Sequence, residues 1–290
     1  MELASRKSGC IDLHIHSTAS DGSFSPLEII EKAKNAGLQA IAITDHDTIE
    51  GSAEALHFPQ TSALEILSGI EISADYLSGS MHILGYLIRL DDLSLKQTLK
   101  GLQQARAKRN LKIIEKLQEL GIDIGHKEVS KVSGGGQIGR PHIAQVLVHK
   151  GAVPSIDEAF HKLLKKGGPA YVPRYRLSPA EAIQMILQAG GVPVLAHPFT
   201  LHAKNEAELE GILLDLKQAG LKGVEAYYPD NGPGRTAQYE RLARRHDLLV
   251  TGGTDFHGAA KPGVHLGIGR GGMRIPYRLV EELKKSRAQH

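Results

Sequence analysis

Short apolar runs alternate with amphipathic stretches along most of the chain. Apolar runs bounded by turn residues are typical of buried strands, and the stretches between them have the spacing of helices that cover a sheet. This alternation predicts an α/β fold with a largely parallel sheet. The seven candidate strands are Gly9–His14, Gln39–Thr44, Leu64–Ser73, His82–Ile88, Val192–Ala196, Gly223–Tyr228 and Leu248–Gly252.

Two helices are marked by capping signals. The first, Ser25–Ala36, opens with a serine and a proline, and Glu28 is placed to complete a capping box. Ser178 begins a second helix in the same way, and Gly190 closes it. Each helix leads directly into a strand, as expected for recurring βα units.

The stretch from about Ser94 to Gly168 contains no convincing strand. Apolar residues at helical spacing predict a long helix that ends at Gly121, and two further helices at Ile138–Lys150 and Ile156–Lys166. We therefore expect residues 94–168 to form a helical insertion in a main domain made of residues 1–93 and 169–290. For most basic residues of the insertion, a solvated helical face is the ordinary explanation: Arg106, Lys108, Arg109, Arg140, Lys165 and Lys166.

Composition and charge are those of an ordinary globular protein, with 41% hydrophobic residues, 23% charged residues and a net charge of +3. This balance argues against a protein that coats nucleic acid, although it permits a local basic pocket for an anionic substrate. No apolar run approaches the roughly 20 residues of a membrane span, and the start of the chain lacks an apolar secretory segment. The single cysteine, Cys10, excludes an internal disulfide framework. We expect a cytoplasmic protein with no membrane partner.

Histidines and carboxylates recur at the ends of the predicted strands. The carboxyl ends of parallel strands converge on one face, and histidine with carboxylate is the donor set that divalent transition metals prefer. A single histidine among the 15 in the chain carries little weight, but their joint placement predicts a multi-metal hydrolytic site. The residues so placed are His14, His16, Asp45, His46, Glu71, His82, His197, Asp255 and His257.

The motifs around these residues resemble those of the polymerase-and-histidinol-phosphatase family of metal-dependent phosphoesterases. The resemblance runs from about residue 10 to the last predicted strand, and it rests on DLHIHS, SDG, ITDHDT, GIEIS, the lone His82, AHP and TGGTDFHG. It implies a distorted (β/α)7 TIM-like barrel with a helical insertion and up to three metals. Within the family the chain is most similar to stand-alone nucleoside 3′,5′-bisphosphate phosphatases and to 5′-to-3′ exoribonucleases that act on short RNA.

The resemblance also implies which residues hold each metal. One metal takes His14, His16, Glu71 and Asp255; a second shares Glu71 and takes His82 and His197; a third takes Asp21, His46 and His257. We expect two to three divalent metals, with manganese the leading candidate and iron, zinc or magnesium as alternatives.

Asp21 is the least certain of these ligands. Some family members have histidine where this chain has Asp21, and an oxygen ligand there favours harder metals such as Mn²⁺ or Mg²⁺. A plain turn residue before Gly22 is the alternative for Asp21.

Three further aspartates lie close to these ligands in the sequence. Asp45 and Asp47 flank His46 and are the candidate catalytic residues, since a carboxylate beside a ligating imidazole commonly accepts its second N–H. Asp45 is in addition a candidate acid or base. Asp12 is either a buried structural carboxylate or a similar support for the ligands.

The resemblance implies hydrolysis of a phosphate ester. Direct attack by a metal-bound hydroxide is the economical mechanism, because no serine-nucleophile motif and no Walker loop occurs in the chain. A second phosphate or an RNA backbone needs cations outside the metal cluster, and Arg140, Arg174 and Arg176 are the candidates. His142, near the start of the same predicted helix as Arg140, either contacts substrate or has a helix-capping or solvent role.

We therefore expect a phosphoesterase whose partner is a small nucleotide or short RNA substrate, without a stable nucleic-acid complex. Two enzyme alternatives stay open: a histidinol-phosphate-type phosphatase, which needs little room for a base, and a proofreading-like 3′-to-5′ exonuclease, usually part of a much longer chain. A catalytically silent metal-binding module that serves a partner protein is the alternative from another class.

Overall fold

A computed structural model describes residues 10–58, 64–76, 79–133, 138–173 and 175–288. Strands and helices alternate through these residues, so the predicted α/β class is confirmed. The strands are β1 Ile11–Ile15, β2 Ala40–Ile43, β3 Glu65–Leu67, β4 Gly69–Ala74, β5 Met81–Tyr86, β6 Val192–Leu195, β7 Gly223–Tyr227 and β8 Leu249–Gly252.

The strands form two sheets. The first has the order β1-β2-β3 and is parallel throughout, and the second has the order β4-β5-β6-β7-β8. Isolated parallel bridges connect the sheets, one between Ile15 and Phe256 and one between His46 and Glu71. Among the described residues the strand ladders do not close into a continuous barrel.

One sequence expectation about the strands was wrong. The predicted strand Leu64–Ser73 is two strands that belong to different sheets, and Ser68 between them donates its hydroxyl to the carbonyl of Ile88 at 2.8 Å. Most strand pairs are parallel, as expected, but β5 is antiparallel to both β4 and β6. The connection from β4 to β5 is too short for the crossover that a parallel pair requires.

Helices cover the sheets and form the inserted region. The two predicted capping boxes are present at Ser25 and Ser178. The α-helices are α1 Pro26–Asn35, α2 Glu50–His57, α3 Leu93–Glu119, α4 His126–Val132, α5 Arg140–His149, α6 Ile156–Ala159, α7 Pro179–Gln188, α8 Glu206–Gln218, α9 Gly232–Arg245 and α10 Arg278–Ala288. Helix α6 continues as a π-helix over Phe160–Leu164, and 3₁₀ turns follow β6 at Pro198–Leu201 and β8 at Gly258–Ala260.

The inserted region has an apolar core of its own. Buried residues from the second half of α3 through Val172 pack together, including Ile113, Leu117, Ile143 and Leu147. The first half of α3 belongs instead to the main core, where Leu95, Leu99 and Leu102 pack with residues of β4, β5 and α7. Helix α3 therefore ties the inserted region, called the cap below, to the sheets. No helix in the described parts of the chain is both long and apolar enough to cross a membrane.

Candidate metal centre

The nine predicted ligands lie together at one end of the sheets. His14 is in β1, and His16 and Asp21 follow β1; His46 follows β2, Glu71 is in β4, His82 is in β5, His197 follows β6, and Asp255 and His257 follow β8. His82 reaches this end although β5 is antiparallel, because it lies near the start of its strand, paired with Ser73. Four overlapping groups place their ligand atoms within 4.8 Å of one another: His16, Asp21, His46 and His257; His14, His197 and Asp255; His14, His16 and Glu71; His46, Glu71 and His82.

Glu71 is the central carboxylate of the cluster and is fully buried. Its Oε1 lies 2.8 Å from His82 Nδ1 and 3.0 Å from His197 Nε2. Its Oε2 lies 2.8 Å from His46 Nδ1 and 3.3 Å from His16 Nε2. A carboxylate shared in this way by several imidazoles is a natural bridge between neighbouring metals.

Asp255 and Asp21 face the other side of the histidines. Asp255 Oδ1 lies 3.2 Å from His16 Nε2, 3.5 Å from His14 Nε2 and 3.4 Å from His257 Nδ1. Asp21 Oδ1 lies 3.3 Å from His257 Nε2 and 3.6 Å from His16 Nδ1. Asp21 therefore points into the cluster and is more than a turn residue.

The three carboxylates are ionised. Burial by itself raises the pKa of Glu71, of Asp21 and of Asp255, but the surrounding histidines outweigh it. For Asp255 the ammonium group of Lys261 is the largest of the opposing influences. All three pKa values therefore lie well below the usual range, and ionised carboxylate is the form that binds metal.

Two histidines show how the same environment acts on imidazoles. Burial lowers the pKa of His14, but the carboxylates of Glu225, Glu71 and Asp255 outweigh burial and hold that pKa well above its usual value. For His82, burial prevails over the attraction of Glu71 and lowers the pKa to about 4. His82 is thus a neutral imidazole, the form that ligates metal.

The donor set fits a metal cluster. Four buried ligand atoms make no well-aligned hydrogen bond among the described residues: His14 Nε2, His16 Nε2, His46 Nδ1 and Glu71 Oε2. Two of them, His46 Nδ1 and Glu71 Oε2, lie 2.8 Å apart without forming one. Buried polar atoms without hydrogen bonds are costly, and a bound ion is a standard reason for them. All four face other members of the cluster, so divalent cations bound among them would give these atoms partners.

Glu225 is a site residue that the sequence analysis missed. It is fully buried in β7, its Oε1 lies 2.9 Å from His14 Nδ1, and its Oε2 accepts the backbone N–H of His197 at 2.8 Å. A carboxylate on the far nitrogen of a ligating imidazole fixes its tautomer and orientation. The sequence feature that could have indicated its role is a glutamate in the middle of the predicted strand Gly223–Tyr228.

Asp45 and Asp47 lie beside the cluster and contact other partners. Asp45 accepts the backbone N–H and the hydroxyl of Ser17 at 2.7 Å each, and the hydroxyl of Ser20 at 2.6 Å. Asp47 accepts the backbone N–H of Ser73 at 3.0 Å and forms a very short ion pair with Arg106 of the cap. The two carboxylates thus hold the loop after β1, strand β4 and helix α3 around His46.

Asp12 is a buried structural carboxylate. It accepts the backbone N–H of Thr254 at 2.8 Å, the hydroxyl of Thr254 at 2.6 Å and the backbone N–H of Gly267 at 2.8 Å. Burial raises the pKa of Asp12 to about 6, although these hydrogen bonds oppose the rise. Asp12 therefore fixes the segment that carries Asp255 onto β1.

Lys261 and Tyr228 occupy the outer oxygen of Asp255. The Lys261 ammonium lies 2.7 Å from Asp255 Oδ2, and the Tyr228 hydroxyl donates to the same oxygen at 2.7 Å. Burial and the nearby carboxylate raise the pKa of Tyr228, so the hydroxyl keeps its proton. Only Oδ1 of Asp255 is then left facing the histidines.

A cavity lined by arginines adjoins the cluster. It has a volume of about 170 Å³, and the cluster residues Asp21, His46 and His82 form part of its wall. The arginines on its wall are Arg106, Arg109, Arg140 and Arg176. Arg174, the remaining predicted phosphate-binding residue, lies outside the described residues.

Arg106 and Arg109 do not lie on a solvated face, contrary to the ordinary explanation for basic residues of the insertion. Both are buried on α3. Their spacing in the sequence indicates burial, since they continue the apolar positions Leu95, Leu99 and Leu102 at intervals of three and four residues.

His142 caps its own helix. The backbone N–H of Gly139 donates to His142 Nδ1 at 3.0 Å, which is the capping alternative left open by the sequence.

Comparisons with known proteins agree with this geometry. A family model described as "PHP domain" matches residues 12–250. A 5′-3′ exoribonuclease from Haemophilus influenzae is 33% identical over 85% of this chain and 89% of its own length. A 3′,5′-nucleoside bisphosphate phosphatase from Chromobacterium violaceum is 31% identical over 89% of this chain and 90% of its own length. The crystal structure of a protein from Bifidobacterium adolescentis superimposes with a TM-score of 0.82 at 31% identity, over 98% of both chains.

Proposed function

Because the chain belongs to the PHP family, we propose that it is a metal-dependent phosphoesterase that hydrolyses the phosphate ester of a small nucleotide. The proposed substrate is a nucleoside 3′,5′-bisphosphate or a short 5′-phosphorylated oligoribonucleotide. Two relatives are named for substrates of these kinds. Manganese is the proposed metal, and the nine clustered residues are the proposed ligands.

One observation carries the proposal, namely that a nine-residue donor cluster and an arginine-lined cavity share a wall. Asp21, His46 and His82 belong to both. A substrate with one reacting phosphate and a second phosphate a few ångströms away matches such a pair of sites. A phosphomonoester without a second anion leaves the arginines unused.

The arginine cavity is preorganised for an anion. The guanidinium of Arg140 donates to the carbonyl of Leu164 at 3.0 Å and lies over the ring of Phe160, with 5.4 Å between Cζ and the ring centroid. The buried Nε of Arg176 has no hydrogen-bonding partner among the described residues. A phosphate in this cavity therefore gains a charged donor that is already dehydrated.

The other residues orient the reaction. Divalent metals held by the cluster supply activation of water and neutralisation of the phosphoryl oxygens. Glu225 holds His14 in a single tautomer, and Asp45 holds Ser17 and Ser20 so that the loop carrying Asp21 faces the cluster. We propose positioning roles for Asp45 and Asp47, because their oxygens already accept protein hydrogen bonds.

We also infer that the two sheets together form the distorted barrel expected of the family. The bridges at Ile15–Phe256 and His46–Glu71 connect the sheets at two separate seams, which supports this arrangement.

A substrate panel with metal-stripped protein and added Mn²⁺ tests the function. We expect adenosine 3′,5′-bisphosphate to exceed adenosine 3′-monophosphate in kcat/KM by at least about tenfold, since one charged hydrogen-bond pair is worth about 1.5–3 kcal/mol. Arg140→Met is expected to remove most of this ratio, whereas Arg241→Met on the exposed face of α9 keeps it. Equal rates on the two nucleotides, or a preference for histidinol phosphate, contradict the proposed substrate class.

The same substrate panel also tests the alternative of a catalytically silent metal-binding module. Absence of hydrolysis of every nucleotide and of a generic chromogenic phosphomonoester, despite bound Mn²⁺, would favour it over the enzyme.

A further inference from the structure

A second cavity shares Asp21 with the arginine cavity. It lies between helix α5 of the cap and the loops after β1 and β8, and its volume is about 350 Å³. Its apolar walls include Val132, Val148 and Ile156 from the cap and Ala260 from the loop after β8. We call it the α5 cleft.

The α5 cleft differs in chemistry from the arginine cavity. No lysine or arginine is among its described lining residues, which include one carboxylate, Asp21, and two histidines, His142 and His149. Its size falls at the lower end of the range for small-molecule sites, which are mostly apolar with a few polar groups that fix orientation. An uncharged ring fits this lining, whereas a second phosphate does not.

Two polar side chains of α5 form the edge of the cleft. His142 accepts the N–H of Gly139 on Nδ1, so its Nε2 carries the remaining ring proton and can donate. Gln145, one helical turn further along α5, adds an amide that both donates and accepts. A donor beside an amide is suited to the hydrogen-bonding edge of a heterocycle.

The position of the cleft decides which part of a substrate reaches it. Asp21 lines the α5 cleft and the arginine cavity, so a nucleotide whose ester phosphate lies at the cluster has both spaces within reach. Resting on the function proposed above, we propose that the α5 cleft receives the nucleobase while the arginine cavity receives the second phosphate. The base is held between aliphatic walls and read at one edge by His142 and Gln145.

A comparison of two substrates tests this assignment. One is adenosine 3′,5′-bisphosphate, and the other is the corresponding sugar 3,5-bisphosphate with no base. We expect kcat/KM to be at least about tenfold higher with the base, and Ala260→Leu, which fills the cleft from the side of the sheets, to bring the ratio toward one. Ala237→Leu, at an exposed position of α9, is the matched control and keeps the wild-type ratio.

Binding to the metal-stripped protein separates failure of this inference from failure of the proposed function. By calorimetry, adenosine 5′-monophosphate is expected to bind at least about tenfold more tightly than ribose 5-phosphate, and Ala260→Leu to remove the difference. Gln145→Ala provides the same test should Ala260→Leu fold poorly.

Three outcomes overturn the cleft assignment: no advantage of the base in the wild type, an advantage that both cleft variants retain, or its loss in Ala237→Leu. Binding selectivity without turnover of either bisphosphate supports the cleft and contradicts the proposed reaction instead.

Discussion

Three residues of the site have positive φ angles, a backbone conformation that non-glycine residues rarely adopt. The φ angles of Asp47, His197 and Asp255 are 53°, 24° and 49°. Such conformations cost on the order of 1–3 kcal/mol each and persist where surrounding contacts fix them. Those contacts are present here, since the N–H of His197 donates to buried Glu225 and the carboxylate of Asp255 is held by Lys261. Three of the six described non-glycine residues with positive φ thus lie at the candidate metal centre, where residues behind the candidate ligands hold them.

Glu225→Gln tests this support at the scale of one residue. The amide keeps the size of the side chain, but its NH₂ group cannot accept a hydrogen bond, so either His14 or the backbone of His197 loses its acceptor. We expect Mn²⁺ affinity to fall about 10- to 100-fold. Calorimetric titration of metal-stripped protein measures the change.

Glu240→Gln is the matched control, since Glu240 accepts a hydrogen bond from the Tyr227 hydroxyl away from the cluster. Its Mn²⁺ affinity should equal that of the wild type. Unchanged affinity in Glu225→Gln would show that Glu225 has no part in holding the ligands.

The candidate ligands could be grouped from the sequence because a residue can be placed at the end of a predicted strand. A histidine that follows an apolar run can be assigned to one edge of a sheet without knowing which residues it contacts. All nine candidates lie close together in the structure. Glu225 lies inside its strand, where only the three-dimensional contact with His14 reveals its role. The aspartates beside His46 were also easy to find, but their partners Ser17 and Arg106 are distant in sequence.

At the scale of elements, helix α3 connects the cap to the metal centre. Gln103 donates to the backbone carbonyl of Asp47 at 3.1 Å, and Arg106 forms an ion pair with the Asp47 side chain. Asp47 in turn accepts the N–H of Ser73, which lies in β4, the strand that carries Glu71. The ligand-bearing strands and the arginine cavity are therefore joined through one buried carboxylate.

Arg106→Met measures the strength of this connection. Removing one partner of a buried ion pair is strongly destabilising, so we expect the free energy of unfolding to fall by about 3–5 kcal/mol. The double variant Asp47→Asn with Arg106→Met should recover part of that loss. Urea denaturation of the metal-stripped protein gives the values.

An exposed arginine serves as the comparison. Arg241→Met removes a surface pair with Glu206 and should change stability by no more than about 1 kcal/mol. A loss in Arg106→Met no larger than this would mean that α3 is not anchored through Asp47.

Element boundaries were harder to predict than element types. Leu64–Ser73 alternates apolar and polar residues, and the Ser68-Gly69 pair is a local sign of the point where the chain passes from one sheet to the other. The contacts made at this point are with residues distant in sequence. The Ser68 hydroxyl donates to the carbonyl of Ile88, and the N–H of Gly69 donates to the hydroxyl of Ser52. The short helix α4 was not predicted, because its few residues give too little periodicity.

Gly253→Ala tests the packing of the end of β8 against β1. A Cβ at Gly253 would lie 2.2 Å from Cβ of His14 and 2.3 Å from its backbone nitrogen, so the strand ends must separate. We expect a loss of stability of about 1–3 kcal/mol together with weaker metal binding, because His14 moves with its strand. Thermal and urea unfolding, with Mn²⁺ titration, check both effects.

The same substitution at an open position sets the reference. A Cβ at Gly211, within α8, meets no atom within 4 Å, and Gly211→Ala should stabilise by roughly 0.5–1 kcal/mol through helix propensity. If Gly253→Ala behaved like Gly211→Ala, the close approach of β8 and β1 would not constrain the site.

At the scale of the whole molecule, the metal cluster connects parts that the backbone ladders leave separate. Its candidate ligands come from or follow strands of both sheets, with His14 and His46 on the first and Glu71, His82 and Asp255 on the second. Ions that bind the native arrangement and not the unfolded chain stabilise the fold by mass action. Metal binding should therefore stabilise the arrangement in which the two sheets are joined more than it stabilises either sheet alone.

Addition and removal of Mn²⁺ test this linkage. At a free metal concentration of 100 times Kd, each filled site adds about 2.7 kcal/mol to the free energy of unfolding. A shift of about 2–4 °C per kcal/mol then predicts a rise in Tm of several degrees or more, which EDTA should reverse.

His14→Ala should fold, lose most of the shift and lose turnover, because His14 contributes to two of the four groups of ligand atoms. His57→Ala, at an exposed site on α2, should keep the shift. The absence of any shift in the wild type, with Mn²⁺ at millimolar concentration, would show that these residues do not act as a metal site that joins the two sheets.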